Sequence, residues 1–204
     1  MPFSPASLTA LVIAASFAAG LNIYATVLTL GILARTHWAA LPPGLDVLGQ
    51  NWVLLACGVL FAVEFFADKI PAFDLAWNAL HTLVRVPVAA LVAYHATAQL
   101  TPEQQLLATL LGGAIALAAH SSKSGLRLLV TPSPEPVSNA ALSAGEDVVA
   151  IGLTWFATHH PLVGAGIAVA LLLVAVVAFW LLWRTGRRIW SGLFSQRAPD
   201  PQQP

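Results

Sequence analysis

The sequence predicts an all-α fold: a polytopic bundle of transmembrane helices with about six spans, broken or re-entrant segments and a weak internal repeat. Three observations carry that reading. Hydrophobic residues make up 58% of the 204-residue chain and charged residues 9%, against roughly 25% charged in a soluble domain. The mean hydropathy is +0.78. Apolar runs also recur along nearly the whole length, so they cannot all be core helices of a soluble fold.

A span needs about 20 apolar residues. The first run, 7–34, is long for a straight crossing and carries Gly20-Leu21-Asn22-Ile23-Tyr24 near its middle. Tilt absorbs excess length. A break at Gly20 does so too, with Asn22 and Tyr24 satisfying the freed backbone groups. The start resembles a signal peptide, but no Lys or Arg precedes its apolar core and the apolar pattern continues to Ala34, so cleavage is not expected. The second run is 52–67 and holds the single Cys57, which has no partner in the chain and reads as a small hydrophobe. The remaining runs are 77–99, 104–120, 141–158 and 162–183. The last two are joined by His159-His160-Pro161, too short for more than a hairpin and with no acidic or Cys neighbour to complete a metal site. One transmembrane domain is expected over 1–190, and a disordered tail over 191–204, Pro- and Gln-rich from Gln196.

Orientation follows from the cations. With Arg184, Arg187 and Arg188 in the cytoplasm, six spans place both termini there. Lys69, Lys123 and Arg127 then also fall inside, and Arg35 is left outside. Trp38, Trp52, Trp180, Trp183 and Trp190 lie near span ends, where an aromatic belt belongs. The expected location is a bacterial cytoplasmic (inner) membrane. A formal net charge of zero gives no basic footprint for nucleic acid.

Polar residues inside the runs are the functional signal. Asp74, Asn78, His81 and Arg85 are spaced four, three and four, which puts them in a narrow arc of one helix face. A charge at the bilayer centre costs at least about 2.5–3.5 kcal/mol, so such a stripe faces the bundle interior or a wet cavity. Pro87 follows and should bend that helix. Glu64 and Asp68 share a face and repel unless a cation intervenes; Lys69 and Arg85 are the candidates. After the fourth run, His120, Lys123 and Arg127 share a face if the helix continues, amid Ser121, Ser122, Ser124 and Gly125. That patch fits an anion, phosphate especially, or the anionic headgroups that an ordinary positive-inside loop holds. It lacks the order of a phosphate-binding Gly-x4-Gly-Lys loop. The fifth run opens with Asn139, Ser143 and Glu146, with Asp147 adjacent. Superposing Asn78 on Asn139 sets Arg85 opposite Glu146, each seven residues on, and so predicts that these two pair across an internal repeat.

The stretches AAGLNIYATVLTLGILAR, EFFADKIPAFDLAWNALHTLVR and AAHSSKSGLRLLVTPSPEPVSNAALSAGEDVVAIGLTWFATHHP resemble the bacterial membrane family catalogued as domain of unknown function 4126. The likeness extends to about residue 185 and is most specific at Asp68-Lys69-Ile70-Pro71 and at Ser133-Pro134-Glu135-Pro136 with Ser138-Asn139. The resemblance implies a small integral membrane protein and no particular activity.

The stripes therefore carry the functional expectation. It is a transporter, or a translocase of lipid or another anionic, phosphate-bearing substrate. Glu64, Asp68, Asp74 and Glu146 would carry protons or cations, and Arg85, Lys123 and Arg127 would hold the anion. One alternative is a structural or interaction protein whose buried ion pairs fix helix register. Another is an intramembrane enzyme using His81 and His120 with Asp68, Asp74 or Glu146, although no HExxH or GxSxG pattern is present. No catalytic residue, metal or cofactor is expected. Membrane lipids are the expected partners, and a homodimer suits so small a bundle.

Overall fold

The computed structural model describes residues 3–67, 71–130 and 136–195, with the side chains of 71–79, 127–130, 136–139, 182, 186 and 188–195 outside the description. Among these residues the chain folds into seven α-helices and one short 3-10 helix: α1 Pro5–Leu21, α2 Ile23–Thr36, the 3-10 helix Pro43–Gly49, α3 Asn51–Ala67, α4 Pro71–Ala96, α5 Pro102–Val130, α6 Pro136–His159 and α7 Pro161–Ser195.

Ser4 starts α1. Its hydroxyl accepts from the Ser7 amide at 3.1 Å, and Pro5 supplies a first-turn residue that has no amide to satisfy. The helix ends at Leu21 because Asn22 turns extended, with φ −148° and ψ 106°. The same Asn22 caps α2 by accepting from the Ala25 amide at 2.9 Å. One residue thus stops one helix and starts the next. Of the two ways to fit the first apolar run, tilt or a break, the chain takes the break, two residues later than Gly20. Asn22 does satisfy a freed amide, but Tyr24 does not. Gly20 instead allows contact, since a Cβ there would lie 2.6 Å from Ala119 Cβ and 2.7 Å from the Ala116 carbonyl of α5.

The broken helix is the axis of the bundle. α1 packs against α4, α5, α6 and α7 and is buried on all sides from Ala14 to Gly20. Much of the core around it is alanine, including Ala18, Ala89, Ala93, Ala116, Ala119 and Ala157. Small residues let helix backbones approach where lipid supplies no hydrophobic drive. The outer surface is the reverse of a soluble protein's. Leu55, Leu83, Leu107, Val148, Leu173 and Val174 are each exposed by more than half. Polar stripe inside and large apolar side chains outside make this a membrane protein.

Three helices are long and apolar enough to cross a bilayer among the described residues: Pro102–Leu126, Ala140–His159 and Pro161–Thr185. A fourth results if the 3-10 helix and α3, bent by 66°, count as one broken span. α1, α2 and the part of α4 with described side chains, Leu80–Ala96, are shorter. Length and composition therefore support three or four of the six expected spans among the described residues. The first run is divided at Asn22.

One expectation about local structure changes. The segment 121–130, read as a cytoplasmic loop, continues α5 without interruption. Gly125 alone costs a helix only about 1 kcal/mol, and no proline intervenes before Pro132. α7 runs through Ser195. The helix α4 is unbroken through Pro87.

A charge cluster at the broken helix

Because α1 stops at Leu21, its last carbonyls lack helical partners. They also carry the negative end of the helix dipole, deep inside the bundle. Two cations from different helices answer them. Arg85 of α4 donates through Nη1 to the Gly20 carbonyl at 3.2 Å and the Leu21 carbonyl at 3.0 Å. Lys123 of α5 donates through Nζ to the Leu21 carbonyl at 2.8 Å. Both are buried.

Each cation also has a carboxylate. The Nη2 of Arg85 pairs with Oε1 of Glu64 on α3, both side chains fully out of contact with solvent. Lys123 pairs with Oε2 of Glu146 on α6 at 2.9 Å, and here the carboxylate side chain keeps 15% exposure. A buried charge is tolerable only when paired and hydrogen-bonded; each cation here has a carboxylate and a backbone carbonyl, although Arg85 Nε has no acceptor among the described residues. The expected pairing of Arg85 with Glu146 is therefore wrong. The register match compared how two helices start; it does not fix which neighbours their side chains reach. Arg85 was one of two cations expected beside Glu64, and it is found there; Lys69, the other, lies outside the described residues.

Four further contacts tie the cluster together. The Asn22 amide donates from Nδ2 to Oδ1 of Asp147 at 2.8 Å, linking the helix break to α6. His81 Nε2 lies 2.9 Å from the Tyr24 hydroxyl, the rings meeting edge to face. His120 bridges α4 and α5, its Nδ1 3.1 Å from Arg85 Nη1 and its Nε2 2.8 Å from the Thr82 hydroxyl. A guanidinium only donates. His120 Nδ1 must then accept, so the ring proton sits on Nε2 and is donated to Thr82.

Of the residues singled out from sequence, Asn22, Tyr24, Glu64, His81, Arg85, His120, Lys123, Glu146 and Asp147 come together here. Ser143 is fully buried on the same helix as the two acids. Asp68 and Lys69 lie outside the described residues. Asp74 and Asn78 fall in α4, Arg127 in α5 and Asn139 in α6, with side chains outside the description. Sequence reasoning missed Thr82 and the Gly20 and Leu21 carbonyls. Thr82 adjoins His81 and could have been suspected; a backbone acceptor leaves no mark in the sequence. Among the described residues no three His, Cys, Asp or Glu side chains are grouped to hold a metal.

Chemically, the described cluster contains two cations, Arg85 and Lys123, and three carboxylates, Glu64, Glu146 and Asp147, around one gap in a helix. Such a site can hold an anion against the cations if a carboxylate gives way, or a proton or cation on a carboxylate.

The chain matches, over residues 9–183, the model of a family described as a domain of unknown function (DUF4126). No curated protein and no solved structure matches it.

Proposed function

Since the chain belongs to the DUF4126 family, whose description carries no activity, we propose from its charge cluster that it is a transporter or translocase of an anionic, phosphate-bearing substrate. The observation that carries this reading is the convergence of Arg85 and Lys123 on the carbonyls freed where α1 breaks. Discontinuous helices whose ends meet ions and substrates near the bilayer midplane are how many transporters build their sites.

The two ion pairs have different roles in this reading. Arg85–Glu64 is sealed and anchors α3 and α4 to the break. Lys123–Glu146 is the accessible pair. A proton or small cation arriving at Glu146 releases Lys123, which then binds the anion while Leu21 still positions it. Asn22 and Asp147 couple α6 to the break, so an exchange at Glu146 reaches the hinge through one helix. The distribution of Lys and Arg supports a reading with both termini in the cytoplasm, in a bacterial inner membrane. No chemical step on a substrate is invoked.

The second reading is that the pairs only fix helix register. The complete burial of Arg85 and Glu64 favours it. Proteoliposomes decide between them, using radiolabelled inorganic phosphate uptake and dithionite bleaching of a fluorescent phosphatidylglycerol. Transport predicts flux above protein-free vesicles in one assay and its loss in Glu146→Gln and Lys123→Met, with both variants still folded. Background flux in the unmodified protein, or undiminished flux in both variants, rejects the transport reading.

A further inference from the structure

An apolar cleft of about 450 Å³ runs between α2, α3 and α4. It starts between Trp52 and His95, at the end of the bundle carrying the 3-10 helix, and finishes at Ile23 and Tyr24 beside the helix break. Its long walls are Ala56, Cys57 and Leu60 of α3 facing Val84, Val88 and Leu91 of α4. Polar side chains occur only at its ends, so nothing along its length would orient a soluble ligand.

The cleft opens sideways. Trp52 and Leu91 line it, yet are 66% and 56% exposed. The surface beside it continues with Leu55, Val59 and Leu83, all exposed. In a membrane chain the medium against such a surface is hydrocarbon. The dimensions narrow the occupant. From Val84 to His95 α4 rises about 16 Å at 1.5 Å per residue, and one leaflet's hydrocarbon is about 15 Å deep. An acyl chain lying along α4 from Val84 to His95 spans about one leaflet's depth and meets apolar walls between the two ends of the cleft.

We propose that this cleft binds one acyl chain of a phospholipid from the leaflet on the 3-10-helix side. The headgroup sits level with Trp52 and His95, and the chain's end rests against Tyr24. This goes beyond the transport reading and does not rest on it. Val84 and Val88 flank Arg85 along α4, and Tyr24 contacts His81, so the lipid tail touches the outer wall of the charge cluster.

The test uses the full chain in liposomes containing a trace of phosphatidylcholine with a diazirine at the end of one acyl chain. After illumination, adducts are mapped by mass spectrometry. Leu60 and Val84, the wall residues at the Tyr24 end of the cleft, should be labelled roughly tenfold more than Leu173 and Val174, which face bulk lipid on α7. Ala56→Trp fills the cleft from an exposed position and should remove those adducts while leaving α7 labelled. Equal labelling of cleft and α7 in the unmodified protein overturns the proposal, whatever the variant does. So does an unlabelled cleft in which a bismaleimide joins Cys57 to Cys57 of a second copy.

Discussion

The polarity of the Arg85–Glu64 pair is set by the two carbonyls behind it. Gly20 and Leu21 offer only acceptors, so a carboxylate at position 85 would meet them oxygen to oxygen. Glu64→Gln leaves a buried guanidinium without its counter-charge and should destabilise the protein by about 3–5 kcal/mol, read as lost heat resistance in detergent. The exchanged double variant, Glu64→Arg with Arg85→Glu, should not recover that stability. A pair that served only as a symmetric clamp would recover it. His120 makes a second residue-level prediction. Its Nδ1 accepts from Arg85 and its Nε2 reaches Thr82, so solid-state NMR should find a neutral ring with the proton on Nε2. A doubly protonated ring would show that the Arg85 contact is absent.

Asn22 governs the elements. Its side-chain oxygen caps α2 and its amide nitrogen holds Asp147. Asn22→Ala loses both contacts, and the cap alone is worth about 0.5–2 kcal/mol. Asn22→Asp keeps the cap but sets a carboxylate against Asp147. In thermal melts Asp should be the worse replacement, even though Asp and Asn cap helices about equally well. Equal or better stability for Asn22→Asp would mean that the link to α6 contributes nothing. The extent of α5 belongs to the same scale. The sequence leaves open whether the helix continues past His120; with no proline before Pro132 it does continue and carries Lys123 into the core. Lys123→Met would test that burial, since a methionine of similar length should be accommodated without unfolding the bundle.

For the whole molecule, hydropathy made the membrane class legible, and the expense of intramembrane charge marked Glu64, Arg85, Glu146 and Asp147 as interior residues. Both follow from side-chain chemistry, which a sequence states outright. The centre of the cluster was not legible. It is a backbone oxygen that becomes available only because α1 stops at Leu21, and the stop is visible as the cap Asn22 offers rather than as a property of Leu21. The pairing of Arg85 was misjudged for a related reason: periodicity tells which residues share a face, and tertiary packing alone tells which faces meet. By length and composition the described residues support three or four spans, the first apolar run being divided at Asn22. What joins these scales is the claim that cations from two separate helices close on one carbonyl. Leu21-Asn22 is the sole Leu-Asn pair in the chain, and Lys69 and Lys123 are its lysines. Labelling Leu carbonyl carbon with Asn and Lys nitrogen therefore isolates Leu21 in a solid-state NMR spectrum of the protein in bilayers. A lysine Nζ dipolar coupling to that carbon, abolished by Lys123→Met, is the predicted result; a Leu21 carbonyl with no lysine coupling would contradict the convergence on which the functional reading stands.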